Sequence, residues 1–169
     1  MAVNVRPAKA GCQESPQLAA LRTRPRAVYS PDNHLGGAPG LERRERIMIV
    51  DDDYLIASQI EVALMDAGYE IVGIESSAEG ALKCAAEERP ALAIMDISLT
   101  GARDGIDAAL ELFARHGIRC IFATAHSNDV ARARAAPAVP LEWVPKPYPM
   151  PVLLAAVGRA LRQLREKLT

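Results

Sequence analysis

A chain of 169 residues, half of them hydrophobic, has the length of one ordinary domain and enough apolar material for a real core. No run approaches the ~18 apolar residues of a membrane-spanning helix, and the N-terminus lacks the apolar segment of a secretory signal, so a soluble, cytoplasmic protein is expected. The formal charge of −1 divides into net +3 over residues 1–45 and net −4 over residues 46–169, and neither part has the clustered basic surface that nucleic-acid binding needs.

Residues 1–45 contain Pro7, Pro16, Pro25, Pro31 and Pro39 together with Gly36, Gly37 and Gly40, and show almost no period of 2 or 3.6. Such a segment buries too little apolar surface to offset its ordering entropy, which predicts a disordered or flexible extension. One or two helical turns over Gln17 to Arg22 are the most it would form. A translation start placed too far upstream would have the same composition. The basic clusters Arg22, Arg24, Arg26 and Arg43, Arg44, Arg46 fit a solvated arm.

From residue 46 the pattern alternates strands with helices up to residue 169. Ile47-Met48-Ile49-Val50 is a continuous apolar run, as expected of a strand buried on both faces, and it stops at Asp51-Asp52-Asp53. Leu55, Ile56, Ile60, Ala63 and Leu64 then recur near helical spacing over Tyr54 to Ala67, and Gly68 follows as a C-cap. Glu70 to Ile74 is a second strand, and a helix capped by Ser77 runs to about Arg89, where Pro90 ends it. Ala91 to Met95 is a third strand, stopping at Asp96. A glycine-containing loop leads to a helix from about Asp104 to His116. Ile118 to Ala123, interrupted by Arg119, ends at Thr124-Ala125, after which Ser127 or Asn128 caps a short helix that stops before Pro137. Leu141 to Val144 is the fifth strand, leading to Lys146-Pro147, and the last helix occupies about Pro151 to Leu168.

A βα repetition of this kind folds as a parallel sheet with helices on both faces, and the carboxyl ends of its strands form one ligand-bearing edge. Asp51, Asp52 and Asp96 would converge there. Like charges so close repel unless a cation lies among them, and all-oxygen donors favour a hard ion such as Mg²⁺. Thr124 and Lys146, at the ends of the next two strands, would add a hydroxyl and an ammonium able to bind phosphoryl oxygens. Cys12, Cys84 and Cys120 are odd in number and lack metal-ligand spacing, so reduced, unligated thiols are expected.

With Asp51-Asp52, Asp96, Thr124-Ala125 and Lys146-Pro147 in this order, each at a strand end, the sequence resembles the receiver domain of two-component response regulators, CheY-like and of the stand-alone type. The resemblance covers roughly Arg46 to Leu168. It implies a flavodoxin-like (βα)5 fold, a doubly wound five-stranded parallel sheet in the order 2-1-3-4-5. It also implies that Asp96 is the phospho-acceptor, attacking the phosphohistidine of a sensor histidine kinase or histidine phosphotransfer protein. Mg²⁺ would be held by Asp52, Asp96 and the backbone carbonyl of Ser98, with Asp51 acting through water. Lys146 would pair with Asp96 before phosphorylation and with a phosphoryl oxygen after it, next to a Lys-Pro peptide that is typically cis in the family. Thr124 would bond the phosphoryl group, and Trp143 would stand where the family keeps a switching aromatic. The domain would catalyse its own phosphorylation and autodephosphorylation without being a metabolic enzyme.

Asp53 is not required by the family motif and is placed as a cap of the following helix. His126 occupies a position that in the family tunes the lifetime of the acyl phosphate; a solvated loop histidine is favoured over a phosphocarrier. Thr100 stands where the family often has proline, in a loop one residue longer than usual. Because the sequence ends directly after the expected last helix, no DNA-binding or enzymatic output domain is expected. A phosphorylation-dependent docking protein is therefore expected, reading out to an unknown downstream protein as relay, sink or direct regulator. Leu154, Val157, Leu161, Leu164 and Leu168 form a stripe that packs mostly on the sheet, with its distal part available for a homodimer. The competing class is a non-catalytic receiver-like binding or dimerisation module, but none of the acids, Thr124 or Lys146 is missing. An aspartate-dependent phosphatase would want a second acid two residues after the nucleophile, where Ser98 stands.

Overall fold

The computed structural model describes residues 44–166. The expectations for residues 1–43 and for Leu168 lie outside the described residues. Five strands alternate with five helices: β1 (Arg46–Val50), α1 (Tyr54–Asp66), β2 (Glu70–Glu75), α2 (Ala78–Glu88), β3 (Leu92–Met95), α3 (Gly105–His116), β4 (Arg119–Thr124), α4 (Asp129–Ala135), a 3-10 turn at Ala136–Ala138, β5 (Glu142–Pro145) and α5 (Met150–Glu166). All strand pairs are parallel, in the order β2-β1-β3-β4-β5. The doubly wound topology expected from the sequence is the one found.

The continuous apolar runs of β1, β3 and β4 are buried because both faces of the sheet are covered. Their alternation divides the core in two. Met48, Val50, Ala93, Met95, Cys120 and Phe122 meet α2 and α3 through Ala78, Ala81, Ala85, Ala108 and Leu112. Ile47, Ile49, Leu92, Ile94, Ile121 and Ala123 meet α1 and α5 through Ala57, Ile60, Leu64, Leu153, Ala156 and Val157. Of the leucine stripe on α5, Val157 and Leu161 are buried, and Leu154 and Leu164 are half-buried against the same core. Among the described residues Cys84 and Cys120 are buried and form no disulfide, and burial pushes the Cys120 thiol up to about 12. No helix among the described residues is long and apolar enough to cross a membrane.

Helix starts are set by side chains that satisfy the first orphan amides. The Asp53 carboxylate accepts from the amides of Leu55 and Ile56, so its expected cap role is met. Ser77 accepts from Gly80, and Asn128, of the two candidates, accepts from Ala131. Asp104 accepts from Ile106 and Asp107, and Asp107 returns a bond to the Asp104 amide, closing a capping box on α3. α1 stops one residue short of the expected Ala67, with Gly68 just beyond it at φ +92°.

A candidate phosphoryl-acceptor and metal site

Strands β1, β3, β4 and β5 each carry a functional residue at or just past the strand end, and main-chain bonds hold these ends in register. Asp51 N donates to Glu75 O at 2.9 Å, Asp96 N to Val50 O at 2.8 Å and Lys146 N to Thr124 O at 2.9 Å. The ladder thereby fixes side chains from β1, β3, β4 and β5 along one edge. Asp51, Asp96 and Thr124 are buried there, and Asp52 is exposed.

Lys146 is the hub. Its Nζ lies 2.7 Å from Asp51 Oδ2 and 2.7 Å from Asp96 Oδ2. Burial works against the ammonium, but the hydrogen bonds to the two carboxylates more than offset it, and its pKa lies above the ordinary lysine value. For Asp51 burial is the stronger influence and raises the carboxyl, against the lowering effect of Lys146 and of the Asp53 amide that donates to Oδ1 at 3.0 Å. The Lys146-Pro147 peptide is cis, as expected.

The pairing of Lys146 with Asp96 was expected, and its bond to Asp51 was not, since that residue was assigned an outer role through water. Asp51 also lies with Asp52 and Asp96 in one cluster, where a carboxylate oxygen of each falls within 4.8 Å of the others. One ammonium against three carboxylates leaves a formal charge of −2. All-oxygen donors with that residual charge fit a hard divalent cation such as Mg²⁺.

The other oxygen of Asp96 faces the following loop, where Ser98 N donates to Oδ1 at 3.3 Å. Thr124 Oγ1 accepts from His126 N at 3.1 Å, which leaves the hydroxyl hydrogen free to donate. His126 is exposed and its Nδ1 lies 3.3 Å from Ser98 Oγ, so the two loops that flank Asp96 are joined by a side-chain bridge not anticipated from the sequence. Thr100 also acquires a role. Both its amide, at 3.0 Å, and its hydroxyl, at 2.8 Å, donate to Ser76 O, bonds that proline could not make. Gly105 is required for a steric reason: a Cβ there would lie 1.8 Å from the Asp96 carbonyl oxygen.

Trp143 is half-buried rather than fully buried. Its ring stacks on Phe122, with centroids 4.5 Å apart and planes 26° apart, and the Arg132 guanidinium of α4 also lies over the ring, 4.8 Å from its centroid. Neither Arg132 nor Arg134, whose contacts reach α3, was singled out from the sequence.

Residues 47–158 match the family model of the response regulator receiver domain. The transcriptional regulatory protein PdtaR of Mycobacterium tuberculosis is 33% identical over 121 residues, 72% of this chain and 58% of PdtaR. The DNA-binding response regulator MtrA of Mycolicibacterium smegmatis is 31% identical over 120 residues, 71% of this chain and 52% of MtrA. The chain thus spans little more than half the length of these curated relatives. A CheY-like receiver domain protein from Methanospirillum hungatei JF-1 superposes with a TM-score of 0.69 at 25% identity, covering 74% of this chain and 99% of that one. The chain belongs to the response regulator receiver domain family of two-component systems.

Proposed function

We propose that this receiver domain works in the cytoplasm, takes a phosphoryl group onto Asp96 from the phosphohistidine of a sensor histidine kinase or histidine phosphotransfer protein, and signals by docking to another protein. The observation that carries this reading is the setting of Asp96, a buried carboxylate whose two oxygens face an ammonium at 2.7 Å and a loop amide at 3.3 Å. Both donors lie where an incoming phosphoryl group would need them.

In the transfer, an Asp96 oxygen forms a bond to phosphorus while the P–N bond to the partner's imidazole breaks. The electron pair stays on the departing nitrogen, and the imidazole leaves neutral when its other nitrogen carries the proton. Lys146 exchanges Asp96 Oδ2 for a phosphoryl oxygen, and the Thr124 hydroxyl donates to another. Asp52, Asp96 and the backbone carbonyl of Ser98, with Asp51 acting through water, would hold Mg²⁺, which would neutralise phosphoryl charge. Trp143, paired with Phe122 two residues before Thr124 on β4 and contacted by Arg132, carries the change toward α4. Attack of water on phosphorus later releases phosphate and restores the carboxylate.

The test is intact-protein mass after incubation with phosphoramidate and Mg²⁺. Wild type gains one phosphoryl group, and Asp96→Asn, which keeps the volume of the side chain, gains none. Label on Asp96→Asn at the wild-type rate overturns the acceptor assignment. A folded wild type that takes up no label favours a non-catalytic binding module.

A further inference from the structure

The short helix α4 is held by little apolar burial. Of its seven residues only Ala135 is buried, and Val130 is 76% exposed. Its position therefore depends on polar attachments, and the strongest is Arg134. Nη1 lies 2.6 Å from Asp104 Oδ2, and Nη2 lies 2.7 Å from Asp104 Oδ1 and 2.8 Å from Asp107 Oδ1. A planar fork that grips both oxygens of one carboxylate and one of a second is more rigid than a lone exposed ion pair.

The carboxylates it grips are themselves fixed. Asp104 is the N-cap of α3 and Asp107 closes the capping box, so neither can follow a moving α4 without opening the first turn of α3. That turn is keyed to the acceptor strand. Gly105 N donates to Ile97 O at 2.8 Å, and Gly105 has no room for a Cβ against the Asp96 carbonyl. Burial tends to raise the Asp104 carboxyl, yet the Arg134 bonds and the backbone donors Asp107 and Ile106 hold it below the usual carboxylate value.

We propose that Arg134 clamps the C-terminal end of α4 to the acceptor end of β3 through Asp104 and Asp107, setting the resting position of α4 by a path that bypasses Thr124. The N-terminal end of α4 follows the loop from Thr124 to its cap Asn128. An inward pull on Thr124 therefore works against the clamp, which makes Arg134 the restraint that phosphorylation must overcome. The second half of this inference rests on the reading of Asp96 as acceptor.

The experiment uses the full chain with Arg134→Met, which keeps a helix-favouring side chain without the fork, and Arg134→Lys, which keeps the charge alone. Amide hydrogen exchange of α4 in the unmodified protein tests the clamp without reference to phosphorylation. Losing charge-assisted bonds should speed exchange at Arg132 to Ala135 by about tenfold in Arg134→Met and less in Arg134→Lys, with α1 unchanged. Equal exchange in wild type and Arg134→Met overturns the clamp. Titration with beryllofluoride and Mg²⁺ then tests the coupling, read by the fluorescence of Trp143, the sole tryptophan of the chain. Half-maximal change should come at severalfold lower beryllofluoride in Arg134→Met than in wild type, and not at all in Asp96→Asn. Equal midpoints in wild type and Arg134→Met overturn the coupling while leaving the acceptor reading intact. A wild type that does not respond overturns the acceptor reading, and with it the coupling.

Discussion

Lys146 Nζ donates to Asp96 Oδ2 at 2.7 Å, reaching past β4 to join the ends of β5 and β3. The same nitrogen bonds Asp51 on β1, so one ammonium compensates two carboxylates whose side chains are only 3% and 8% exposed. Removing it leaves buried like charges facing each other. Lys146→Met should lose about 2–4 kcal/mol of stability in metal-free buffer. Added Mg²⁺ should recover part of that loss, because a cation among the carboxylates substitutes for the missing charge. Urea unfolding with and without Mg²⁺ measures both effects, and a wild-type midpoint in metal-free buffer would contradict the hub role.

Asp52 separates metal binding from core stability. Its side chain is exposed, unlike those of Asp51 and Asp96, so its loss opens no cavity. Asp52→Ala should weaken Mg²⁺ binding by about tenfold or more while shifting the unfolding midpoint little. Mg²⁺-dependent quenching of Trp143 fluorescence reads the affinity. An unchanged dissociation constant would remove Asp52 from the ligand set.

Gly105→Ala places a methyl group against the main chain rather than against a movable side chain, since the Asp96 carbonyl oxygen would be 1.8 Å away. Either the first turn of α3 or the end of β3 must shift. A loss of about 3 kcal/mol in urea unfolding is expected, with slower phosphorylation because the acceptor moves with its backbone. Wild-type stability would show that the loop yields easily.

The Arg134 contacts give a pH dependence of known sign. The Asp104 carboxyl has a folded-state pKa below its ordinary value of 3.8. The stability it contributes is therefore fully present above 3.8 and is lost as pH falls through the lower folded value. The difference in urea midpoint between wild type and Arg134→Met should be constant from neutral pH down to about 5 and shrink only in stronger acid. A difference that shrinks between pH ~7 and ~5 would mean that another group carries the interaction.

The parts of this site visible in the sequence are those that sheet geometry makes local. Runs such as Ile47 to Val50 and Leu92 to Met95 are apolar at every position because both faces are covered, so the acid that ends each run marks the strand end directly. Asp53 was legible as a cap because an N-cap carboxylate bonds amides two and three residues ahead. Contacts across the fold left no such trace. Lys146 meets Asp51 across 95 residues, and Arg134 meets Asp104 across 30. Nothing in the spacing of Arg132 and Arg134 distinguishes one that covers an aromatic ring from one that grips a helix cap. The Ser98–His126 bridge depends on two loop conformations that neither residue dictates alone. Thr100 was noticed only as a departure, and its two bonds to Ser76 supply the reason.

The outer strand β5 has one more consequence. It has four residues, closes on Pro145, and its first residue, Glu142, is engaged by Arg159 of α5. A short border with a proline at its end and a charged residue already occupied offers a poor template for adding a sixth strand. Growth of the sheet from one molecule into the next is therefore disfavoured at this border, a safeguard against aggregation at the margin next to the Lys146 end of the site.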